Sequence, residues 1–192
     1  YLGKPGDVSK GGLSFEEYLR RQEQHRRAEI AALHDTPYFV ERAEEIYGYV
    51  NFVCDSGGSI CEVVDPDDPE DPVLKCLSKT TLLCWIEGSE AHRNNLIERF
   101  DLAPKPMYYE PAFINAKWTE YLDQTGQNKN KVDPNAFVRW IYAEALAHRH
   151  PRYEGISKWG IKVRAEDVAA LKTVMDFEDL VACALEQREQ DT

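Results

Sequence analysis

The strongest pattern in this chain is a helical period between residues 36 and 54. Apolar residues recur there at steps of four and three positions: Phe39, Ala43, Ile46, Val50 and Val53. This spacing places them on one face of an amphipathic helix. Because the face is wide, the pattern predicts a central core helix that ends before the glycine pair Gly57-Gly58. A face of this width can also form a dimer interface, so a homo-oligomer is an alternative.

Helix start signals recur along the rest of the chain. Ser14 stands three residues before Glu17, which is the spacing of a capping box. Pro111, and Pro134 after Asp133, suit the first position of a helix, where the missing amide hydrogen costs nothing. We therefore predict a mainly α fold, a compact multi-helix domain of about seven to eight helices.

The domain organisation follows from composition. Residues 1–13 are rich in glycine and lysine and are predicted to form a flexible arm. Residues 14–192 are predicted to form a single α-helical domain, with two lobes, 14–103 and 104–192, as the alternative. The chain of 192 residues is long enough for either arrangement.

Three segments are less regular. The first helix is polar through its centre, residues 20–27, so it either projects from the body or meets a polar partner. Residues 60–64 are rich in β-branched side chains and are a candidate minor β element. Residues 73–86 favour a buried helix by length, although their threonine and valine content also permits a hairpin.

The charge is strongly negative and unevenly distributed. The formal net charge is -11. Residues 35–75 hold eleven acidic side chains against Arg42 and Lys75, whereas residues 126–164 hold eight basic side chains against three acidic ones. The negative total argues against general nucleic-acid binding, because phosphate contacts need local positive charge. The asymmetry indicates that charge steers the choice of partner.

The segment 63–74, VVDPDDPEDPVL, is the first candidate binding site. Its acidic residues are Asp65, Asp67, Asp68, Glu70 and Asp71. A calcium loop of the EF-hand type needs glycine at its sixth position and glutamate at its twelfth. Counted from Asp65, those positions hold Glu70 and Cys76, and the prolines prevent the backbone from wrapping around an ion. The sequence predicts a stiff acidic loop that either stays solvated or binds a basic partner.

A second candidate surface combines basic and aromatic side chains near the C-terminal end of the chain. Its residues are Arg149, Arg152, Tyr153, Lys158, Trp159, Lys162 and Arg164. Single-stranded nucleic acid binds to such combinations, because bases stack on rings while cations follow the phosphates. Alternatively, the aromatic rings fill the core and the cations pair with acidic side chains of residues 35–75 in the same molecule. Nucleic-acid binding by residues 126–164 is therefore the first alternative function, beside binding of a protein.

Glu144 and His148 form the only carboxylate–imidazole pair with helical spacing that we weigh as catalytic. They lie four residues apart, and such a pair can bind a metal or move a proton. A metal-dependent enzyme is therefore the second alternative. No HExxH motif accompanies the pair, and the five cysteines lack the short paired spacing of zinc sites. We expect no catalytic residue, no metal site and no cofactor.

These patterns predict a non-catalytic protein that serves as a binding, adaptor or regulatory subunit through its charged surfaces. Complementary charge gives specificity and fast association in protein interfaces, so a protein partner is expected. The longest apolar runs are far shorter than the roughly 18 residues of a membrane span. We therefore expect no membrane association and a cytoplasmic location.

Overall fold

The computed structural model describes residues 2–190. Within them the chain forms eight α-helices and a two-stranded sheet, which confirms the predicted mainly helical fold. The helices are α1 (Phe15–His34), α2 (Thr36–Tyr47), α3 (Pro72–Thr80), α4 (Glu90–Leu102), α5 (Pro111–Thr125), α6 (Pro134–Ser157), α7 (Ala165–Ala170) and α8 (Val174–Gln190). The strands are β1 (Cys84–Glu87) and β2 (Ile161–Arg164), and short 3-10 turns cover Val8–Lys10 and Ile60–Glu62.

Two of the predicted start signals cap their helices, although only the Ser14 half of the Ser14–Glu17 capping box forms. The Ser14 hydroxyl accepts a hydrogen bond of 3.2 Å from the amide of Glu17. The Glu17 carboxylate pairs with Arg20 and Arg21, each at 2.7 Å, and these guanidinium groups lower the pKa of Glu17 to about 2. At the start of α6 the Asp133 carboxylate accepts two backbone amides at 2.9 Å. Both helices thus begin where a side chain satisfies otherwise unpaired amides.

The glycine-rich segment before α1 lies against the start of α6. The Gly6 amide donates to the carbonyl of Leu13, and the Asp7 amide donates to the carbonyl of Val132, both at 2.8 Å. A Cβ atom at Gly6 would lie 2.5 Å from the Val132 carbonyl oxygen, so this approach needs glycine. Residues 2–13 of the predicted arm therefore form a strap joined to the body by backbone hydrogen bonds, while residue 1 lies outside the described residues.

Two larger cores share the same long helices. In the first, Tyr18 of α1, Trp118 of α5 and Phe137 of α6 are buried, and the last two rings meet edge to face at 4.8 Å. The second core contains Leu33 near the end of α1 and Ile156 near the end of α6. Because α1 and α6 contribute residues to both cores, these two helices connect them.

Residues 73–86 differ from the single helix that their sequence favours. Helix α3 ends at Thr80, and the chain continues into β1. Strand β1 pairs in parallel with β2, with Cys84 opposite Ile161. The small β element therefore lies here and not at 60–64, where the backbone forms a 3-10 turn. A strand partner more than seventy residues away overrides the local preference for helix.

Helix α6 includes part of the second candidate surface. It continues to Ser157 and contains Pro151, which removes one helical hydrogen bond. Tertiary contacts hold the last turns, because Arg149 and Ile156 are 5% exposed. Arg149, Arg152 and Tyr153 of the second candidate surface are therefore presented by this helix.

Helix α2 corrects the prediction of a central core helix. It ends at Tyr47, because Gly48 adopts a left-handed φ of 65° and its amide donates to the carbonyl of Glu44. Helices α1 and α3 pack against α2, in which Thr36 is buried and Val40 and Ala43 are partly buried. Its other apolar flank stays open, with Phe39 53% and Ile46 54% exposed. The period correctly indicated a helix, but much of the face it defines lies at the surface.

Two isoleucine substitutions distinguish the core from this open flank. Ile141 is completely buried in α6, so Ile141→Ala should lower the free energy of unfolding by about 2–5 kcal/mol. The same change at half-exposed Ile46 should cost less than about 1 kcal/mol, because the removed surface is already hydrated. Urea denaturation monitored by circular dichroism measures both values. Equal losses would show that α2 is buried.

Candidate functional site

The acidic loop of residues 65–71 is closed by its own carboxylates. Asp71 is 6% exposed, and its Oδ1 accepts the amides of Val73 and Leu74 at 3.0 and 2.8 Å. Its Oδ2 accepts the amide of Asp65 at 2.9 Å. Asp71 therefore caps α3 and joins the two ends of the loop. Its carboxylate is engaged in hydrogen bonds inside the protein and is not presented to a partner.

The four other carboxylates of the loop are exposed. Asp65 and Asp68 each accept the amide of the residue two positions on, Asp67 and Glu70, as in Asx turns. Glu70 pairs with Lys75 at 2.5 Å, and this cation lowers the pKa of Glu70. The loop thus presents negative charge on a backbone fixed by hydrogen bonds.

Arg152 of α6 and Trp159 hold the start of this loop through hydrogen bonds to backbone carbonyl oxygens. Arg152 donates from Nε to the carbonyl of Cys61 and from Nη2 to the carbonyl of Val64, the latter at 2.9 Å. Trp159 donates from its indole nitrogen to the carbonyl of Pro66 at 3.2 Å. These contacts use carbonyl oxygens, so the carboxylates of the loop are not neutralised by this part of the basic segment.

The remaining residues of the second candidate surface lie further along the chain. The Lys162 ammonium lies 3.4 Å from Glu87 and 5.6 Å from the centre of the Trp85 ring. Arg164 lies 3.7 Å from Asp167 and 3.8 Å from Glu166. Lys158 is exposed, and Tyr153 is partly buried with its ring parallel to that of Trp85. The seven residues therefore do not form one continuous basic face.

The most enclosed polar contact joins Glu62 to Arg149. Glu62 Oε1 lies 2.6 Å from Arg149 Nε, and both side chains are buried. Glu62 Oε2 accepts the amide of Glu110 at 2.9 Å, and Arg149 Nη2 donates to the carbonyl of Tyr108 at 2.8 Å. The pair therefore connects the turn at 60–62, the middle of α6 and the chain before α5.

Sequence reasoning missed the role of Glu62. The available signal was a single acid between the apolar residues Ile60 and Val64, which is unusual for a solvated position. Arg149, by contrast, was assigned to an outer binding surface, and the structure places it inside. A charged residue surrounded by apolar neighbours in sequence needs a partner, but the sequence does not say which one.

Gln22 explains the polar centre of the first helix. It is 2% exposed, its side-chain nitrogen donates to the carbonyl of Met107 at 3.0 Å, and its oxygen accepts the amide of Tyr109 at 2.9 Å. The segment before α5 is thus hydrogen-bonded to α1 as well as to Arg149. Of the two expectations for this helix, contact with polar groups is the one that Gln22 fulfils.

Glu144 and His148 point to different neighbours. The Glu144 carboxylate lies 2.8 Å from the Lys117 ammonium. The His148 ring stacks on Phe113 at 4.3 Å, and its Nε2 is 3.9 Å from Glu62. Within residues 2–190, no group of three or more histidine, cysteine, aspartate or glutamate side chains is arranged to hold a metal ion.

Burial lowers the pKa of His148, because a partly enclosed imidazolium loses hydration. The nearby carboxylates of Glu62 and Glu110 act in the opposite direction, while Arg152 and Arg149 reinforce the decrease. The net result is a histidine that resists protonation. Its neutral ring can remain stacked on Phe113.

A set of exposed apolar side chains lies on α2 and the segment after it. We call it the α2 face; it comprises Tyr38, Phe39, Ile46, Tyr47, Tyr49, Val50, Phe52 and Val53. The rings of Tyr38 and Phe39 lie 5.7 Å apart, and those of Tyr47 and Tyr49 stack at 5.3 Å. The helical period of apolar residues identifies several of these side chains in the sequence. The same period fits a buried core helix equally well, so it does not indicate that they are exposed.

The charged residues around the α2 face are mostly acidic. Glu41, Glu44 and Glu45 are exposed on the helix, and Asp35 and Asp55 flank its two ends. The one base among residues 35–55, Arg42, is paired with Glu45 at 2.5 Å. The segment that carries the α2 face is therefore mostly acidic.

In the described part of the chain, no helix is long and apolar enough to cross a membrane. No protein-family model, curated protein or solved structure shows significant similarity to the chain. Functional inference therefore rests on the geometry of its own residues.

Breaking the buried ion pair should destabilise the protein strongly. Glu62→Ala leaves the Arg149 guanidinium buried without its counterion, at a cost of about 3–5 kcal/mol in the free energy of unfolding. Urea denaturation measures the loss, and replacing both residues by methionine should recover part of it. The control is Glu23→Ala, which breaks the exposed Glu23–Arg27 pair and should change little. Equal effects of Glu62→Ala and Glu23→Ala would contradict a structural role for the buried pair.

His148 should make stability depend on pH. Because its folded pKa lies below the usual value of 6.5, the unfolded chain binds a proton that the folded chain does not. The free energy of unfolding should therefore fall as the pH decreases from about 6.5 through the folded pKa. His148→Gln removes this titration, so the variant should show a smaller loss over that range. Denaturation series at several pH values test this, and equal slopes for both proteins would contradict it.

Proposed function

We propose that this protein is a non-catalytic binding subunit that docks another protein on the α2 face. The observation that carries the proposal is the exposure of eight large apolar side chains within residues 38–53, at 41% to 93% each. Single exposed apolar residues are common on proteins, whereas a concentrated set of them typically marks an interaction site. Five of the eight are aromatic, the class that is most enriched at protein interfaces.

The energetics favour an occupied α2 face. Apolar surface removed from water contributes about 25 cal/mol per Å². Tyr38, Tyr47 and Tyr49 can bury their rings and keep their hydroxyl groups at a wet rim, so covering them carries a small polar penalty. Docking on this surface needs no rearrangement of the two larger cores, because these residues belong to neither.

The acidic loop is proposed to assist the same docking by electrostatics. A shallow groove lined by Pro37, Glu70, Pro72 and Cys76 runs between the start of α2 and the end of the loop. Asp65, Asp67, Asp68 and Glu70 are exposed beside it, whereas Asp71 is occupied as a cap. Lysines 75 and 79 also line the groove, so the negative charge is concentrated on the loop and on α2. Such charge accelerates encounter with a positively charged partner.

The alternative functions have less support. Arg149 and Arg152, which the nucleic-acid hypothesis needs, donate to Glu62 and to backbone carbonyls. The metal hypothesis needs Glu144 and His148 together, and their side chains contact Lys117 and Phe113 instead. These contacts leave both alternatives with less support than docking on the α2 face.

A cytoplasmic location is part of the same proposal. All five cysteines lie within residues 2–190 and are free thiols there. Free thiols persist in reducing compartments, whereas proteins in oxidising compartments tend to form disulfides.

A photo-crosslinking amino acid placed on the α2 face tests the proposal. At position 50, where the valine is 93% exposed, it should yield one dominant product in extracts of the source organism. At position 102, where the leucine is 86% exposed on α4, the same amino acid should not yield that product. This comparison separates docking on the α2 face from contact with any exposed apolar residue.

The crosslinked protein must then bind in isolation. Purified partner and subunit should form a stoichiometric complex, and Ile46→Ser with Val50→Ser should weaken its Kd at least about tenfold, as hot-spot apolar contacts do. Leu102→Ser is the matched control and should leave Kd unchanged. If the double variant binds as tightly as the wild type, the α2 face is not the docking surface and the proposal is wrong.

A further inference from the structure

We infer that a basic surface at one end of this molecule binds the acidic loop of a second copy, so that copies associate head to tail. We call this basic surface the strap surface; it comprises Lys4, Lys10, Lys129, Lys131 and Arg139. The contact is separate from the α2 face and goes beyond the proposed function. It leaves the α2 face free for the partner proposed above.

Hydrogen bonds bring the cations of the strap surface together. The Lys4 ammonium donates to the carbonyl of Pro104 at 2.5 Å and to the side-chain oxygen of Asn135 at 2.7 Å. Arg139, one turn after Asn135 on α6, donates to the carbonyl of Asp101 at 3.0 Å. Burial, and next the like charge of Arg139, lower the pKa of Lys4. All three acceptors are uncharged, so both cations are held in place without being neutralised.

The loop before α6 adds two more cations. Residues 124–132 contain Lys129 and Lys131 and no acidic side chain, and both lysines are exposed. The strap lies beside this loop, because the Asp7 amide donates to the carbonyl of Val132 at 2.8 Å. Cations from the strap, the loop and α6 therefore share one end of the molecule.

The acids within the strap surface are already engaged. Asp7 is 7% exposed, and its carboxylate accepts hydrogen bonds within the strap. Asp133 caps α6 and lies 3.7 Å from Lys10. The flanking segments 99–105 and 123–128 add no net charge, since together they hold two cations and two aspartates. The exposed lysines of the loop are therefore available to a negatively charged partner.

The acidic loop carries carboxylates that its own molecule does not neutralise. Glu70 is paired with Lys75. Exposed Lys158 lines a shallow groove together with Pro69, but within residues 2–190 it forms no ion pair with the loop. Arg152 binds backbone carbonyls only. The exposed carboxylates that remain without an ion pair in the described part of the chain are those of Asp65, Asp67 and Asp68.

The strap surface and the acidic loop lie at opposite ends of α6. The strap contacts Asn135 in the first turn of this helix, whereas Arg152 near its end holds the loop. Seventeen residues separate these two positions, which corresponds to about 25 Å at 1.5 Å per residue. This distance exceeds the Debye length of about 8 Å at physiological salt. The two surfaces therefore do not neutralise each other in one molecule, whereas two copies can bring them together.

Local charge decides whether copies attract, although each has a formal net charge of -11. At physiological salt, exposed charges more than about 8 Å from the contact are largely screened. The two patches differ, so the interface is heterologous, and each bound copy still offers one free patch. Exposed ion pairs are individually weak, so we expect short-lived chains of molecules and not a tight dimer.

Zero-length carbodiimide crosslinking of the full-length protein tests the contact, because it joins lysines to carboxylates only at ion-pair distance. A mixture of isotope-labelled and unlabelled protein distinguishes crosslinks between copies from those within one copy by mass spectrometry. Crosslinks between copies should join Lys129 or Lys131 to the acidic loop. At about 0.5 mM protein, where even a millimolar Kd yields complexes, the absence of these crosslinks would overturn the inference.

Charge reversal tests the same contact in solution. Asp67→Lys with Glu70→Lys, and separately Lys129→Glu with Lys131→Glu, should each weaken self-association at least about tenfold in sedimentation equilibrium. An equimolar mixture of the two variants should regain it, because each molecule carries the surface that the other lost. One chain with all four changes should also self-associate, since its reversed surfaces attract each other.

Two controls accompany the charge reversals. Glu178→Lys with Asp179→Lys on α8 changes the net charge as much as the loop variant does and should leave self-association unchanged. For the wild type, about 1 M salt should abolish it, because the Debye length falls to about 3 Å. Circular dichroism confirms that each variant is folded. Association that survives both charge reversals, or both that survive in high salt, would show that the strap surface and the loop do not meet.

Variants of the α2 face distinguish this contact from the proposed function. Ile46→Ser with Val50→Ser should weaken the heterologous partner and leave self-association unchanged. If these substitutions abolish self-association and the charge reversals do not, the copies meet through the α2 face and the inference is wrong. If the protein stays monomeric, head-to-tail association is excluded, while docking of another protein on the α2 face is decided by its own Kd measurement.

Discussion

The ion pair between Glu62 and Arg149 lies where three separate parts of the chain meet. Removing both charges from water is costly, and their attraction offsets this only when the remaining hydrogen-bonding capacity is also used. Here the Glu110 amide and the Tyr108 carbonyl complete the coordination. Arg149 stands on α6 between the buried Phe137 and Ile156, which belong to different cores. The pair therefore fixes the position of the longest helix against the turn that leads into the acidic loop.

This arrangement explains how a chain with opposite charges in its two halves keeps a negative surface. The basic end of α6 does fold against the acidic segment, but Arg152 and Trp159 bind carbonyl oxygens at its base. A carbonyl satisfies a guanidinium or an indole without neutralising a carboxylate. The basic half thus holds the acidic loop in place through carbonyl oxygens, and the exposed carboxylates of the loop face the solvent.

Local signals in the sequence were sufficient for much of the fold. Ser14 and Asp133 cap the helices that they precede, because a cap depends on residues within one turn. Properties that depend on distant residues were not accessible. The sequence does not show that α1 and α3 cover only part of α2, that β1 finds a strand at Ile161–Arg164, or that Glu62 finds Arg149. For this reason the candidate site is the α2 face and not the charged segments. An amphipathic period identifies which residues share a face of a helix, whereas the fold decides whether that face is buried.

The two-stranded sheet has a consequence for synthesis of the chain on the ribosome. Strand β1 is made early, but its parallel partner β2 follows only after α4, α5 and α6. Until residue 164 has emerged, the edge of β1 beside Trp85 has no strand to pair with, and closing so long a loop is entropically costly. The helical cores can assemble in the meantime, since most of their contacts precede β2 in the chain. The apolar residues of α8 that pack on Ile161 and Val163 are therefore added to a body that is already formed.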